Sequence, residues 1–210
     1  MDVAGAQALV FATDRRRPSK STIVRVTRRT TATVWHGTAI AAWLGPGHAY
    51  LTGDGGRLLA FSLASGRTTV VARLPVLTGA VVPSPDRKAF AAIATGPKVA
   101  SPSRLVLVDR GRVRSVRIGG SAADVHWLDA ARVVVSRYGG PDEVRLYNRS
   151  LRLLARFGGW HAQQTAVAAG HAYGLSWNGT LQWARLPNGP ARPLVELPSP
   201  VAHTLLAVPR

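Results

Sequence analysis

Short apolar runs alternate with turns rich in Gly, Asp and Ser along the chain. In the segment 47–75, apolar runs at 49–52, 58–63 and 69–73 are separated by the turns Gly-Asp-Gly-Gly and Ala-Ser-Gly. Asp-Gly and Ser-Gly between apolar runs are hairpin signals, because glycine accepts the positive φ that a tight turn demands. No long apolar run has the 3.6-residue period of a helix, so the pattern predicts an all-β fold with almost no helix.

The chain repeats itself at a fixed distance. Residues 170–198 match residues 47–75 without a gap, and both segments open on Gly-His-Ala-Tyr and end on Leu-Pro. The offset of 123 residues corresponds to three units of 41, and weaker copies of the unit open at positions 8, 89 and 133. A period of roughly 40–45 residues with several short strands per unit is the signature of propeller blades.

A further apolar strand precedes each unit except the first, and its small residues suit the crowded centre of a propeller. These inner strands are expected at 40–44, 77–82, 123–128 and 165–169. Residues 201–208 form an apolar run that belongs to no unit of its own. We therefore predict that 201–208 completes blade 1 and closes the ring, which removes exposed sheet edges. The alternative is a fragment of a larger propeller that is open at one seam.

The predicted architecture is a single domain, an all-β, five-bladed β-propeller of four-stranded antiparallel blades. A chain of 210 residues is long enough to bury the core of one such domain. The predicted blades are blade 1 at about 1–36 plus 201–210, blade 2 at 37–75, blade 3 at 76–119, blade 4 at 120–159 and blade 5 at 160–200.

One hairpin carries a family resemblance. Residues 82–91 read VPSPDRKAFA, and 43–50 and 127–134 are weaker echoes of the same pattern. This segment resembles the Ser-Pro-Asp-Gly hairpin of TolB-like and WD40-like (PD40-type) propeller repeats, in which Pro presets φ and Asp caps its own turn. Arg87 stands where the family has glycine.

The resemblance implies architecture first. TolB-like propellers are mostly extracytoplasmic or periplasmic bacterial modules that bind proteins or serve as sensors and scaffolds. They share no common catalytic residues, so the resemblance assigns no functional residue and no cofactor to this chain.

The chain is strongly basic, with a formal net charge of +17 that comes almost entirely from arginine. One interpretation is an anionic partner, such as nucleic acid or an anionic surface. The other is a genome-wide preference for arginine, with the charges spread over outer strands and loops. The densest group lies on blade 1 and is the candidate polyanion-binding surface: Arg15, Arg16, Arg17, Arg25, Arg28 and Arg29.

Among the ten acids, only Asp124 lies on a predicted inner strand, and His126 follows two residues later on the same face. A glycoside hydrolase needs two carboxylates, and one axial acid does not make that pair. His161 and His203 are expected near the axis or its mouth. A metal site there is the alternative to ordinary channel-lining residues. We assign neither a catalytic residue nor a metal site.

Trp160 and His161 lie in the predicted loop that enters blade 5, on the face where propellers usually bind ligands. Trp160 is either a binding aromatic or a packed core residue. With Asp124, His126 and His203, these two residues form the candidate ligand-binding set.

The sequence does not determine the cellular compartment of the protein. The chain has no cysteine, no recognisable signal peptide and no apolar run of the roughly 20 residues that span a membrane. An upstream signal or anchor would make the protein extracytoplasmic, as the resemblance implies, and otherwise it is expected to be cytoplasmic.

The leading hypothesis is a non-catalytic, monomeric propeller that binds a protein or polymer partner on one face, as a sensor or scaffold. The first alternative is an axial-pocket enzyme, similar to a glycoside hydrolase, or a metal-binding propeller, centred on Asp124, His126 and His203. The second alternative is a polyanion binder that uses the arginines of blade 1. Propellers host all three functions, so the fold does not decide between them.

Overall fold

The chain forms two compact units, residues 1–81 and 82–210. The computed structural model describes residues 8–14, 20–27, 29–45, 47–53, 55–75, 78–95, 102–119, 121–138, 143–160, 162, 164–176, 179–187 and 189–197. Throughout these residues the regular structure is β-strand, and none of them is helical. The predicted all-β class is therefore confirmed.

The strands follow one another in chain order with short turns between them. They are β1 (Ala8–Thr13), β2 (Lys20–Val26), β3 (Thr31–Gly45), β4 (His48–Gly53), β5 (Arg57–Ser62), β6 (Thr68–Arg73), β7 (Val82–Pro83), β8 (Ala89–Ala94), β9 (Arg104–Asp109), β10 (Arg112–Arg117), β11 (Ser121–Trp127), β12 (Arg132–Tyr138), β13 (Glu143–Asn148), β14 (Leu153–Gly158), β15 (Gln164–Ala168), β16 (His171–Leu175), β17 (Thr180–Arg185) and β18 (Arg192–Glu196).

The first unit is one six-stranded antiparallel sheet, β1 to β6. Its strand β3 is 15 residues long and changes partner along its length. It pairs with β2 as far as Thr38 and with β4 from Ala39, and the register shifts between Ala39 and Ala41. A single strand therefore runs across the predicted boundary between blades 1 and 2. The second half of β3 forms a four-stranded group with β4, β5 and β6, and β1, β2 and the first half of β3 form a three-stranded group.

The second unit contains three four-stranded antiparallel sheets, β7–β10, β11–β14 and β15–β18, each in chain order. The inner strands β11 and β15 begin within two residues of their predicted positions. The strand predicted at 77–82 is instead the two-residue β7, Val82–Pro83. Pro83 has no backbone N–H to donate, and upstream Thr78 turns back to donate its hydroxyl hydrogen to the carbonyl of Pro75 at 2.6 Å.

The sheets of the second unit pack face to face through β12. Val133 and Val135 belong to the core cluster shared with β8 and β9, whereas Val134 belongs to the cluster shared with β16 and β17. Successive residues of a strand point to opposite faces, so β12 is buried on both sides and needs a continuous apolar run. The first unit has its own core, made by Ile23, Ala39, Ala49, Leu51 and Phe61.

The two segments that match at an offset of 123 residues make the same turn hydrogen bonds. The Leu63 N–H donates to the Gly47 carbonyl at 3.0 Å, and the Leu186 N–H donates to the Gly170 carbonyl at 2.8 Å. The N–H groups of Leu74 and Leu197 donate in the same way to the carbonyls of Gly56 and Gly179. The shared residues thus build local structure in both copies.

The number of blades stays a prediction. The expected closing strand, 201–208, lies outside the described residues, and so do the prolines that precede it. Within the described residues, β1 has β2 as its only ladder partner. Its sequence, ALVFAT, carries no charge and no proline that would protect an open edge. This edge is where the predicted closing strand would pair.

Two glycines of the repeated segment allow a matched test of the turn geometry. Gly47 and Gly56 both have φ near +76°, but a Cβ on Gly56 would lie 2.3 Å from the Leu74 carbonyl oxygen, whereas a Cβ on Gly47 would meet nothing within 4 Å. We expect Gly47→Ala to cost about 1 kcal/mol because of its left-handed backbone. Gly56→Ala is expected to cost about 3 kcal/mol or more, since backbone must also move. Urea denaturation measures both, and equal losses would contradict the close approach.

Candidate functional site

The inner strand β11 carries the two polar residues that the sequence singled out, and one of them, Asp124, binds the neighbouring sheet. The Asp124 Oδ2 atom accepts a hydrogen bond from the Thr165 backbone N–H at 2.7 Å. The Thr165 backbone also raises the pKa of the His126 imidazole. Because Thr165 belongs to β15, Asp124 links the inner strands of two adjacent sheets.

Trp160 converges on the same residue. Its indole Nε1 donates to the Thr165 Oγ1 atom at 3.2 Å, and its side chain is 0% exposed. The ring lies over Gly174 of β16, where an added Cβ would come within 2.6 Å of the indole Cζ2 atom. Of the two interpretations that the sequence left open, the structure thus places Trp160 in the core. Thr165 is thus hydrogen-bonded to two of the predicted site residues, Asp124 and Trp160.

The environment of the pair favours uncharged side chains. Burial raises the pKa of Asp124, and the Thr165 N–H and the neighbouring His126 offset part of this rise. Burial lowers the pKa of His126, and Asp124 and the Thr165 backbone offset part of this fall. The Nε2 atom of His126 is buried and has no hydrogen-bond partner in the described part of the chain. A neutral imidazole suits such a position, because an unpaired buried charge is costly.

The other predicted site residues are not brought to this centre by the described structure. His161, His203, Arg15, Arg16, Arg17 and Arg28 lie outside the described residues. Arg25 is half-buried in β2, and Arg29 is exposed in the turn that follows. Lys20, which follows the arginine-rich segment in the sequence, is the first residue of β2, at the end of the strand opposite to Arg25. Within the described ranges, no group of three or more His, Asp or Glu side chains could hold a metal ion.

A second polar centre, which the sequence analysis missed, lies around Arg149 in the turn after β13. The Arg149 Nη1 atom donates to the Asp86 Oδ2 atom at 3.2 Å and to the Ala130 carbonyl at 3.1 Å. Its Nη2 atom donates to the Asp109 Oδ1 atom at 3.1 Å. One guanidinium thereby gathers turns from two sheets. We name this surface the Arg149 face; it comprises the turns 84–88, 109–112, 128–132 and 148–152.

All three acids of the Arg149 face are bound by arginine. Asp86 and Asp109 contact Arg149, and Asp129 pairs with Arg132 at 2.6 Å. Hydrogen bonds from the Ser84 hydroxyl, the Lys88 N–H and Arg149 hold the pKa of Asp86 below its ordinary value. Burial raises the pKa of Asp129, but Arg132 and the Ala131 N–H outweigh it, so this pKa is lowered as well. The carboxylates of Asp86 and Asp129 are therefore ionised near pH 7, and the arginines beside them balance their charge.

The remaining cations of the Arg149 face project into solvent. Their side chains are exposed and make no hydrogen bond or ion pair with any described residue. They are Arg87, Lys88, Arg110, Arg112 and Arg152. On the Arg149 face, the acids are thus paired with arginines, and the exposed cations are unpaired.

Sequence reasoning did not single out the arginine that joins two of the three acids. Arg149 is 63 residues from Asp86 and 40 residues from Asp109. The sequence does contain the elements of this contact: an arginine in the turn after the third strand of one sheet, and acids in two turns of the preceding sheet. Their relation can be recognised only when the packing of the two sheets is known.

A buried ionic group lies at the ends of β12 and β13. Arg137 and Glu143 face each other in the ladder, and both Arg137 and Arg145 bind the Glu143 carboxylate. The same arginines donate to the carbonyls of Gly119 at 2.9 Å and Ile118 at 2.8 Å. Burial raises the pKa of Glu143, but the two arginines outweigh it and leave this pKa lowered. The group anchors the connection between β10 and β11.

The first unit has an open cleft at the Lys20 end of β2. Its volume is about 520 Å³, and its lining includes Asp14, Lys20, Thr22 and His36. These residues carry both signs of charge, and the sequence analysis did not single them out as a site.

No protein-family model and no curated protein matches this sequence. Solved structures do match in fold. TolB from Acinetobacter baumannii is 14% identical with a TM-score of 0.62, over 93% of this chain and 54% of TolB. Kuenenia stuttgartiensis hydrazine synthase is 13% identical with a TM-score of 0.60, over 88% of this chain and 64% of that chain. The chain thus spans about half to two thirds of the length of these neighbours.

At such low identity the likeness shows the fold alone. Together with the four-stranded antiparallel sheets, it shows a TolB-like β-propeller architecture, as the Ser-Pro-Asp hairpin predicted. The described residues contain no helix that could span a membrane.

The buried His126 predicts a pH effect on stability. Its folded-state pKa lies below the ordinary value of 6.5, so the unfolded chain takes up a proton first as the pH falls. This contribution to stability is present above pH 6.5 and is lost below it. The raised pKa of Asp124 acts in the opposite sense, because its contribution falls as the pH rises. We therefore expect the change from pH 7.5 to pH 5.5 to lower the melting temperature of the wild type relative to that of His126→Gln.

Calorimetry at both pH values provides the comparison. A His126→Gln protein with an unchanged pH profile would show that His126 is not held neutral by its surroundings.

Proposed function

We propose that this chain is a non-catalytic β-propeller module that binds a protein or polymer partner across the Arg149 face, as a sensor or scaffold. The observation that carries the proposal is the position of Arg149, whose guanidinium joins turns of two sheets into one surface. Binding and catalytic residues are often borne by loops that a rigid scaffold positions. This surface meets that description.

The turns of the Arg149 face are held in place before any partner arrives. The Ala131 N–H donates to the Asp129 Oδ1 atom at 2.8 Å, and the Arg149 N–H donates to the Ala131 carbonyl at 3.0 Å. Arg114 donates to the Arg149 carbonyl at 3.0 Å from the neighbouring sheet. Because these loops are already ordered, binding avoids much of the entropic cost of immobilising them.

The arrangement of the inner strands supports a scaffold role for the axial residues. Asp124 accepts a hydrogen bond from Thr165 and His126 is buried beside it, and these are the residues around which an axial pocket would be built. The described groups that influence the pKa of Asp124 are Thr165 and His126, and neither is the second acid that glycoside hydrolysis requires. Among the residues that the structure describes, no specific contact favours the axial-enzyme alternative.

The test compares binding and activity in the wild type and in Asp124→Asn. Immobilised protein is titrated with double-stranded DNA, heparin, polyglutamate and neutral dextran, and is also assayed for hydrolysis of 4-nitrophenyl glycosides. We expect a charged polymer to bind both proteins equally under conditions where both are folded, with a lower melting temperature in Asp124→Asn. Turnover by the wild type that disappears in folded Asp124→Asn would contradict the proposal, and so would failure of every polymer to bind.

A further inference from the structure

The charge balance of the Arg149 face selects an anionic partner. Its four turns contain seven cationic and three acidic residues, a formal excess of four positive charges. Each acid is already bound by an arginine of the same unit. The free groups are therefore cations alone, and such a surface attracts and orients anions.

The type of cation indicates the chemistry of the anion. Four of the five free side chains are arginines: Arg87, Arg110, Arg112 and Arg152. A guanidinium presents a planar fork of donors that matches phosphate in a bidentate manner, whereas an ammonium group acts as a point charge. The face is thus better suited to phosphate groups than to diffuse counter-ion attraction.

The same turns lack the residues that other anionic partners require. They read SPDRK, DRGR, LDAAR and NRSLR, and contain no aromatic residue on which unpaired bases could stack. Their two leucines, Leu128 and Leu151, are half-buried. The face therefore offers neither an exposed apolar anchor for a protein hot spot nor an apolar residue for insertion into a lipid surface.

We infer that the Arg149 face binds double-stranded nucleic acid through its phosphate backbone, without reading the base sequence. This inference rests on the proposed function, because it names the partner of the same face. The inferred polyanion-binding surface lies in turns of the second unit, whereas the sequence suggested the arginines of blade 1. With five free cations, the logarithm of the affinity should fall against the logarithm of salt concentration with a slope of up to about −4.5.

The experiment compares two triple variants that lose the same charge. The face variant is Lys88→Gln, Arg112→Gln and Arg152→Gln. The control variant is Arg57→Gln, Arg67→Gln and Arg73→Gln, three exposed arginines of the first unit. None of the six side chains has a hydrogen-bond or ion-pair partner among the described residues, so both variants should fold and melt like the wild type.

Fluorescence anisotropy with a labelled DNA duplex of mixed sequence is read over a series of salt concentrations. The face variant should bind at least about tenfold more weakly than the wild type near 0.1 M salt, and its salt slope should shrink by about 2.7. The control variant should retain nearly the affinity and slope of the wild type. A scrambled duplex should bind as well as the original one.

Equal losses in the two variants would overturn the inference, because binding would then follow net charge and not this face. Tighter binding of heparin, single-stranded DNA or anionic phosphatidylglycerol vesicles at the same salt would also overturn it. In the second case the proposed binding function stands, whereas equal losses in the two variants would also contradict binding across the Arg149 face. If the wild type binds no polymer at all, the proposed function fails together with the inference.

Discussion

The fold requires that neighbouring sheets be held together at their inner strands, and the hydrogen bond between Asp124 and Thr165 does this for β11 and β15. Within each sheet, backbone ladders join the strands, but no ladder joins the inner strands of successive sheets in the described part of the chain. Side chains must therefore bridge them. Asp124 of β11 reaches β15 at 2.7 Å, and Trp127 of the same strand donates to the Val82 carbonyl of β7 at 2.8 Å. One inner strand thereby holds its neighbours on both sides.

The same solution recurs farther from the inner strands. Arg149 bridges the turns of β7–β10 and β11–β14, as Asp124 bridges β11 and β15. A single hydrogen bond of this kind contributes about 1 kcal/mol net, but leaving its buried partner unsatisfied costs about 1–3 kcal/mol. These polar residues are thus needed to hold the sheets together beyond the edges of the apolar cores between β8, β12 and β16. The cations that these bridges do not use form the surface that we propose binds a partner.

The pattern of apolar runs and turns was sufficient to predict the class of the fold and most strand positions, because both follow from local chemistry. The Ser-Pro-Asp turn is an example. Arg87, which replaces the glycine of the family, has φ of 55°, the conformation that glycine would have accepted more easily. The uninterrupted β3 was not predicted, because a change of partner at Ala39 leaves no break in the apolar pattern.

The candidate site was predicted only in part. Alternation along β11 placed Asp124 and His126 on one face of the strand. It could not show that Thr165, on another strand, would be their neighbour. The burial of Trp160 depends on Gly174, which leaves room for the indole on another strand. Contacts such as these, and those of Arg149, join residues that local sequence does not relate.

Hydrogen exchange at the Thr165 amide tests the central claim most directly. The account predicts that this amide is strongly protected in the wild type and exchanges much faster in Asp124→Ala. The Leu146 amide, in the ladder of β13, should keep its protection under conditions that report local opening. A Thr165 amide with the same protection in both proteins would contradict the claim that Asp124 holds β15 to β11.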